Sequence, residues 1–395
     1  MLDARQKSII SATVPLLETG GEALTTHFYK IMLSEFPEVR PLFNQAHQVS
    51  GDQPRALANG VLMYAKNIDR LEMLGDLAAQ IVNKHVALQV LPEHYPIVGH
   101  CLLRAIREVL GAQIATDEII DAWAAAYGQL ADILINAEKG AYDAKAQAPG
   151  GWRGARNFKV AGKEAESDEI CSFYFEPEDG GAVIDFEPGQ YIGIRLVVNG
   201  QEIRRNYSLS AAPNGRSYRI SVKREAGGLA SNHLHEQVQV GSTIELFPPS
   251  GVFTLAEGAR PLVFISGGVG ITPTIPMLEA ALKTSRAVHF IHFARTRGVH
   301  AFKSQVDRFV KQHPQLKRFY CYEEVPAGAS EHPDAIGRVD ANKLAQWLPE
   351  GTRDVDAYFL GPKAFMKQVR RSLLELGVPQ KQMRYEFFGP HAALE

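Results

Sequence analysis

The sequence predicts three domains in order: an all-α domain, a small antiparallel β-barrel, and an α/β domain with a parallel sheet. At 395 residues the chain is too long for one hydrophobic core, which indicates two or three domains. Its 45% apolar and 22% charged residues are typical of a globular protein. Helical periodicity ends near residue 150, and two different strand patterns follow it.

The first part of the chain is rich in Ala and Leu and has helical spacing. In the segment 61–74, apolar side chains recur at three- and four-residue intervals and so share one helix face. These side chains are Val61, Leu62, Ala65, Ile68 and Leu71. Prolines punctuate the helices, and no alternating strand pattern is present. We therefore assign residues 1–147 to the all-α domain and the Pro- and Gly-containing segment 148–154 to a linker.

The remaining sequence carries two kinds of strand pattern. Residues 155–257 contain short β-rich runs separated by Gly, Pro and Asn turns, which is typical of a small antiparallel barrel. These runs are FKVAG, CSFYFEP, YIGIRLVV, SYRISVKRE and STIELFPP. In residues 258–395, buried strand-like runs such as PLVFI alternate with helical patterns. That alternation predicts a parallel, doubly wound sheet.

Charge and cysteine content exclude several classes of protein. The formal net charge of -2 provides no field that would gather nucleic acid or an anionic membrane. The three cysteines are far apart and odd in number, so they predict neither a disulfide framework nor a CxxC metal site. The N-terminal segment carries charges where a signal peptide has an apolar core. We therefore expect a cytoplasmic protein without a transmembrane segment.

Three segments carry candidate chemistry. His85 lies in an Ala- and Leu-rich helix, where a histidine taken alone is more commonly a core or surface residue than a metal ligand. The string RRNYSLS follows a predicted strand and suits a flavin: Arg205 for pyrophosphate, Tyr207 for the isoalloxazine ring, and Ser208 for a hydrogen bond. The glycine-rich string SGGVGITP, at a strand-to-helix turn, favours close approach of backbone to a dinucleotide pyrophosphate.

The helical domain resembles a known family at specific strings. FPEVRPLFN, SGDQPRALANGVLMYAKNID and VNKHVALQVLPEHYPIVGHCLL resemble the globin domain of bacterial and fungal flavohaemoglobins, and the resemblance extends through the whole chain. It implies haem b, FAD and NAD(P)H as cofactors. It also implies that His85 is the proximal iron ligand and that Phe43 packs on the porphyrin. Tyr29, Gln53 and Leu57 would line the distal pocket.

The resemblance also implies partners on the proximal side of the haem. Tyr95 and Glu138 stand where the family has a hydrogen-bonded tyrosine and glutamate. A carboxylate that accepts from the imidazole N–H makes the imidazole a stronger electron donor. Lys84 stands where the family tunes the haem and flavin potentials. Without the resemblance, Glu138 and Lys84 would be interpreted as solvated helix residues, and Tyr29 and Gln53 as boundary or surface residues.

The reductase half resembles ferredoxin-reductase-type FAD and nucleotide domains. The implied FAD residues lie on strands, at a glycine-led helix start (Gly227, Gly228, Ser231 and Asn232) and at the C-terminus. They are Tyr191, Arg205, Asn206, Tyr207, Ser208, Ser231, Glu386, Phe387, Phe388, Gly389 and Pro390. The implied NAD(P)H residues form the glycine turn, namely Gly267, Gly268, Val269, Gly270, Ile271 and Thr272.

The sequence departs from that family at two positions. Leu360 stands where the family commonly has a cysteine near the nicotinamide, and Ile271 replaces an expected polar residue. The first departure puts the hydride-transfer geometry in doubt but not the fold. Arg295 and Arg297 follow a predicted strand and favour NADPH slightly, because arginines there can bind a 2′-phosphate.

The resemblance implies a self-sufficient nitric oxide dioxygenase. NAD(P)H would reduce FAD, FAD would reduce the haem iron, and bound oxygen would react with nitric oxide to give nitrate. We expect a monomer whose partners are these small molecules, with no nucleic acid partner; the distal pocket is also a candidate site for a lipid. Two alternatives stay open: an NAD(P)H-dependent hydroperoxide, quinone or ferric reductase, and an oxygen-binding or gas-sensing globin.

Overall fold

The computed structural model describes residues 2–329 and 331–389, and its first part is a bundle of α-helices. The helices are α1 (Ala4–Ala12), α2 (Val14–Glu35), α3 (Gln45–Val49), α4 (Asp52–Lys66), α5 (Gly75–Leu88), α6 (His94–Leu110) and α7 (Asp117–Gln147). Asp3 and Gln6 form a capping box that begins α1. Pro54 lies in the first turn of α4, where the missing N–H costs no helical bond. Helix α5 ends because Gln89 is left-handed, with φ 60°.

The second part is a six-stranded antiparallel sheet with the strand order β4-β3-β6-β1-β2-β5. Its elements are β1 (Arg156–Ala165), β2 (Ile170–Pro177), β3 (Tyr191–Val198), β4 (Gln201–Ser208), β5 (Tyr218–Lys223), α8 (Leu229–Glu236) and β6 (Thr243–Leu246). The antiparallel architecture agrees with the sequence prediction. The edge strands β4 and β5 approach each other through the isolated bridge between Leu209 and Ile220. Within the described residues no ladder joins them, so the predicted barrel is a curled sheet that is not closed.

The flavin string RRNYS is the place where the second part differs most from the sequence prediction. It was expected to follow a strand, but it lies on strand β4 itself, antiparallel to β3. Strand β4 is an edge, and its charged and polar side chains are only partly buried. Two adjacent arginines and an asparagine are unusual in a strand, which explains why the composition indicated a connection.

The third part is a parallel six-stranded sheet with the order β10-β9-β8-β7-β11-β12. Its elements are β7 (Leu262–Gly267), α9 (Ile271–Ala281), β8 (Val288–Ala294), α10 (Lys303–Gln312), β9 (Leu316–Tyr322), β10 (Ala335–Ile336), α11 (Ala341–Trp347), β11 (Asp356–Leu360), α12 (Lys363–Glu375) and β12 (Met383–Tyr385). Strands β7, β8 and β11 are buried along their whole length, because helices cover both faces. The sequence prediction of a parallel α/β domain is therefore confirmed.

Helix α5 of the first part packs directly against the sheet of the second. The guanidinium of Arg204 on β4 donates to the carbonyl of Leu88, with an Nη1–O distance of 2.7 Å. A side chain at Gly193 on β3 would place its Cβ 2.1 Å from the carbonyl oxygen of Ala87. Glycine is therefore required there for helix and strand to approach so closely. Within the described residues, no helix is both long and apolar enough to cross a bilayer.

Candidate haem and flavin sites

The imidazole of His85 on α5 forms a hydrogen-bonded triad with two buried side chains, those of Tyr95 and Glu138. The Nδ1 atom of His85 lies 2.7 Å from Oε1 of Glu138, and the Tyr95 hydroxyl donates to the same oxygen at 2.6 Å. Glu138 comes from α7 and is only 2% exposed. Burial, together with the hydrogen bond and charge of the carboxylate, raises the pKa of Tyr95 well above its usual value. Tyr95 therefore stays protonated and donates a hydrogen bond. Nε2 of His85 is then the ring nitrogen that could bind iron.

The three predicted distal residues, Tyr29, Gln53 and Leu57, lie together on the facing helices α2 and α4. Tyr29 is 5% exposed, and its hydroxyl oxygen accepts from Nε2 of Gln53 at 3.3 Å. The ring of Phe43 packs edge-on against Tyr29 with centroids 5.5 Å apart, and Leu57 packs into the same cluster. Burial raises the pKa of Tyr29 far above its usual value, although the hydrogen bond from Gln53 opposes the rise. The phenol is therefore a permanent hydrogen-bond donor at neutral pH.

These residues fit a haem group by their chemistry and by their packing. Tyr29 belongs to one hydrophobic cluster of the helical part, whereas Tyr95 and its neighbours Val82 and Val86 belong to a second one. The imidazole of His85 remains 32% exposed although its helix is packed on two sides. A planar apolar group between the two clusters would cover this imidazole without disturbing the hydrogen bond between its Nδ1 and Glu138.

The predicted flavin residues on the sheet are neighbours across β3 and β4. Tyr191 pairs directly with Ser208, and Ile192 pairs with Tyr207. Burial lowers the pKa of the neighbouring Arg205 guanidinium, although the charge of the Tyr207 phenol opposes this. The Oδ1 atom of Asn206 is buried and has no hydrogen-bond partner within the described residues. Because buried polar atoms are almost always paired, this atom fits a strand that binds a polar cofactor.

The other predicted flavin residues lie on α8 and at the end of the described chain. Ser231 is on the first turn of α8, where its hydroxyl donates to the Gly228 carbonyl and accepts from the N–H of Glu225. At the C-terminal end, Phe387 packs on Tyr385 with centroids 5.8 Å apart, and Phe388 is 45% exposed. Pro390 was predicted as a flavin residue too, but it lies outside the described residues.

Lys84 and Glu386 meet where the C-terminal segment reaches α5. The Nζ atom of Lys84 donates to the carbonyl of Gly389 at 2.7 Å. Burial raises the pKa of the Glu386 carboxyl to about 7, and the Lys84 charge opposes that rise. Burial also lowers the pKa of the Lys84 ammonium. The two residues are therefore brought together with the flavin strands around a poorly hydrated centre.

Sequence reasoning missed His47 at this centre and, next to it in the sequence of the short helix α3, Gln48. A Cβ at Gly389 would lie 3.2 Å from the His47 ring, and the Arg205 and Lys84 charges reach this imidazole. Burial and these two cations lower the pKa of His47. Nε2 of Gln48 is buried without a partner in the described part of the chain. No local pattern could have found them, because α3 has a single turn and the contacts join distant segments.

The glycine string adopts the predicted strand–turn–helix arrangement. Strand β7 ends at Gly267, a 3₁₀ turn follows, and α9 begins at Ile271 without a side-chain cap; the Ile271 N–H bonds the Gly268 carbonyl within the turn. Gly268 has φ 53°, which favours glycine. A Cβ at Gly270 would lie 2.4 Å from the Leu360 carbonyl oxygen. Thr272 donates to the Val269 carbonyl and is 2% exposed.

The structure also shows the surroundings of the two residues that depart from the family pattern and of the two arginines considered for NADPH. Leu360 and Ile271 are both fully buried in one apolar cluster of the sheet. Arg295 forms an ion pair with Glu169 of β2's preceding turn, and Nε of Arg297 lies 3.4 Å from Glu331. Because both arginines already have carboxylate partners, this geometry adds no support to the slight preference for NADPH.

Family models match three successive parts of the chain. The globin family matches residues 26–134, an oxidoreductase FAD-binding domain matches 157–255, and an oxidoreductase NAD-binding domain matches 264–371. Each match covers one of the three architectures described above. The order of the matches is the order predicted from the sequence.

Whole-length relatives and solved structures share the same organisation. The chain is 67% identical to a flavohemoprotein of Pseudomonas putida and 64% identical to one of Pseudomonas aeruginosa, in each case over 100% of both chains. A crystal structure of flavohemoglobin from Malassezia yamatoensis with bound FAD and heme is 26% identical, with a TM-score of 0.87 over 98% of this chain and 100% of that one. The FAD/NAD-binding domain of nitric oxide dioxygenase from Vibrio cholerae is 38% identical, with a TM-score of 0.56 over 60% of this chain and 100% of that one.

Proposed function

The chain belongs to the flavohemoprotein family, and we propose that it is a nitric oxide dioxygenase that takes its electrons from NAD(P)H. It is an oxidoreductase with globin, FAD-binding and NAD-binding parts; the reaction with nitric oxide is the proposed step. The observation that carries the proposal is the hydrogen-bonded triad of His85, Glu138 and Tyr95 on one side of a globin pocket whose other side holds Tyr29. Such a triad suits activation of oxygen better than its storage.

When bound, FAD would supply the chemistry that divides the electron pair of NAD(P)H, and haem would supply the iron chemistry by which oxygen and nitric oxide combine to nitrate. The residues of the chain set the conditions for that chemistry. Glu138 can only accept hydrogen bonds as a carboxylate, so the Nδ1 atom of His85 carries the imidazole proton. Nε2 then keeps its lone pair for iron. The hydrogen bond from Tyr95 holds the carboxylate in that orientation.

On the distal side, Tyr29 is the group that can donate a hydrogen bond to a bound diatomic molecule. Its hydroxyl oxygen already accepts from Gln53, so its own proton is directed elsewhere. A donor fixed in a dry pocket stabilises developing negative charge more strongly than water does. Phe43 and Leu57 would exclude water from this donor and pack on the ring.

For the reductase half, we propose that Arg205, Tyr207 and Ser208 bind FAD from β4, with Tyr191 beside them on β3. The segment from Glu386 to Gly389 would close the flavin site against Lys84. The turn from Gly267 to Thr272 would bind the pyrophosphate of NAD(P)H. We propose the cytoplasm as the compartment, since Cys101, Cys171 and Cys321 are all buried and free and would stay thiols in a reducing medium.

The proposal is tested by replacing the distal hydroxyl. Tyr29→Phe removes one oxygen and leaves the ring, and we expect nitrate production from nitric oxide, oxygen and NAD(P)H to fall by about 10²-fold. Tyr64→Phe is the matched control, because Tyr64 is an equally buried tyrosine whose hydroxyl donates to the Ala126 carbonyl at 2.9 Å. The control should keep its activity.

The outcome also separates the proposal from its alternatives. Nitrate production by Tyr29→Phe at the rate of the unaltered protein, with haem fully incorporated, would refute the distal role. Fast NAD(P)H oxidation with hydroperoxides, quinones or ferric iron, combined with slow nitric oxide consumption by the unaltered protein, would refute nitric oxide as the substrate and favour a reductase.

A further inference from the structure

Two buried imidazoles lie side by side in the third part of the chain, outside the sites described above. His292 is on β8 and His300 is in the loop between β8 and α10; they are 0% and 2% exposed. Their ring centroids are 4.3 Å apart with an angle of 35° between the planes. Burial lowers the pKa of both imidazoles, so both are neutral near pH 7.

Each imidazole uses one nitrogen for a hydrogen bond, while its other nitrogen stays buried and unpaired. Nδ1 of His292 lies 2.9 Å from the hydroxyl of Ser266, and Nδ1 of His300 lies 2.8 Å from the hydroxyl of Tyr322. Both Nε2 atoms lack partners within the described residues. Because an unpaired buried polar atom costs free energy, apolar side chains would stabilise this position better. Packing alone therefore does not account for the pair.

The bond to Ser266 connects the pair to the glycine turn. Ser266 is fully buried and directly precedes Gly267 and Gly268. Glycines offer no side chain by which the rest of the domain could hold them. The Ser266 hydroxyl is a side-chain contact at the start of the turn, and its bond to His292 adds to the strand pairing of the same two residues.

The other imidazole stands at the start of a contact with the flavin sheet. Two residues after His300, Phe302 is non-glycine but left-handed, with φ 61°, and is 4% exposed. The guanidinium of Arg219, on β5, lies 5.0 Å from the centre of the Phe302 ring. The same guanidinium donates to Ser210, with Nε 3.2 Å from the hydroxyl. Ser210 is two residues beyond Ser208, so this contact reaches the end of the flavin strand.

We propose that His292 and His300 are positioning residues for hydride transfer: they hold the NAD(P)H turn in place and fix its position relative to the flavin sheet. The step moves a hydride from the dihydronicotinamide to FAD and leaves NAD(P)⁺ and reduced flavin. Neither imidazole takes part in the transfer; His292 acts through Ser266, and His300 acts through the loop that places Phe302. The inference rests on the reductase part of the proposed function and not on nitric oxide chemistry.

The first test measures binding of NAD⁺ by titration calorimetry on the protein loaded with FAD and haem, which needs no turnover. His292→Leu removes the bond to Ser266 and should weaken the affinity about fivefold, which is about 1 kcal/mol at 1.4 kcal/mol per tenfold. His292→Asn keeps an amide near the position of Nδ1 and should restore most of the affinity. His289→Leu is the control, since His289 is equally buried on β8 but bonds to Trp347 on the opposite face.

The second test separates the two imidazoles by rate and affinity. Tyr322→Phe removes the partner of His300 with little change in volume. Its NAD⁺ affinity should stay near that of the unaltered protein, while the limiting rate of anaerobic flavin reduction at saturating NADH should fall about fivefold. If His300 only stabilised the fold, Tyr322→Phe would not lower the rate of flavin reduction while leaving the NAD⁺ affinity unchanged.

The result that overturns the proposal is defined for each variant. If His292→Leu does not fold, Ser266→Ala removes the same bond with the loss of one oxygen and is expected to show the same weakening. Affinity equal to that of the unaltered protein in Ser266→Ala, or equal weakening in His289→Leu, would refute the role of His292. An unchanged limiting rate in Tyr322→Phe would refute that of His300. Absence of nitric oxide turnover by the unaltered protein, with normal flavin reduction, would refute only the proposed nitric oxide dioxygenase activity.

Discussion

A single substitution that removes the carboxylate of Asp356 should strongly destabilise the nucleotide domain. Asp356 begins β11, which lies between β7 and the edge strand β12, and is fully buried. Arg286 donates to it at 2.5 Å and Arg384 at 3.2 Å, while Arg260 lies 3.9 Å away. Asp356→Asn keeps the shape of the side chain and removes its charge.

The expected magnitude follows from what the substitution leaves behind. The Arg286 side chain is only 7% exposed and keeps two carbonyl acceptors, those of Arg260 at 2.6 Å and Ala256 at 2.8 Å. Its charge, however, loses the buried counter-ion. Removing one partner of a buried ion pair costs about 3–5 kcal/mol. A domain is commonly stable by only about 5–15 kcal/mol, so this loss would be a large fraction of the total.

The assay must report on this domain alone, since the chain has several domains. Hydrogen exchange of the slowest amides in β7, β8 and β11 gives the free energy of opening that sheet. Asp354→Asn is the matched control, because Asp354 also bonds Arg260, at 2.9 Å, but is 64% exposed. An exposed pair contributes about 0–1 kcal/mol. The reasoning is wrong if the two variants lose equal stability, or if Asp356→Asn loses less than about 1 kcal/mol.

Three further predictions concern the sites themselves. Gly270→Ala places a Cβ against the Leu360 carbonyl, so NAD⁺ affinity measured by calorimetry should fall while FAD content stays constant; unaltered affinity would contradict the close packing. Glu138→Gln weakens the acceptor for His85, so the iron–histidine stretching frequency of the ferrous protein should fall in a Raman spectrum, and an unchanged frequency would count against the triad. Burial lowers the pKa of His292 to about 3, so its contribution to stability is complete above pH 6.5 and is lost as the pH falls toward 3. By pH 5 the loss from His292 is about 2 kcal/mol, so between pH 7 and pH 5 the free energy of opening the sheet, measured by hydrogen exchange, should fall by about 2 kcal/mol less in His292→Asn than in the unaltered protein.

The parts of the fold that could be predicted are those encoded by neighbouring residues. Helical periodicity, alternating strands and the glycine turn after β7 are local patterns, and they placed the three architectures in the correct order. The strand position of Asn206 was missed because its polar neighbours suit a cofactor and not a core. The contact of Lys84 with Gly389 joins residues 305 positions apart. No local pattern could have predicted it, nor the approach of His47 to the same segment.

Helix α5 contacts the helical part through His85 and the antiparallel sheet through its C-terminal end. Its last turn contacts the flavin sheet through the carbonyls of Ala87 and Leu88, and His85 lies about one turn earlier. The spacing between the His85 imidazole and strands β3 and β4 is therefore set by the geometry of the helix, about 1.5 Å per residue, and not by the length of the linker between the two parts.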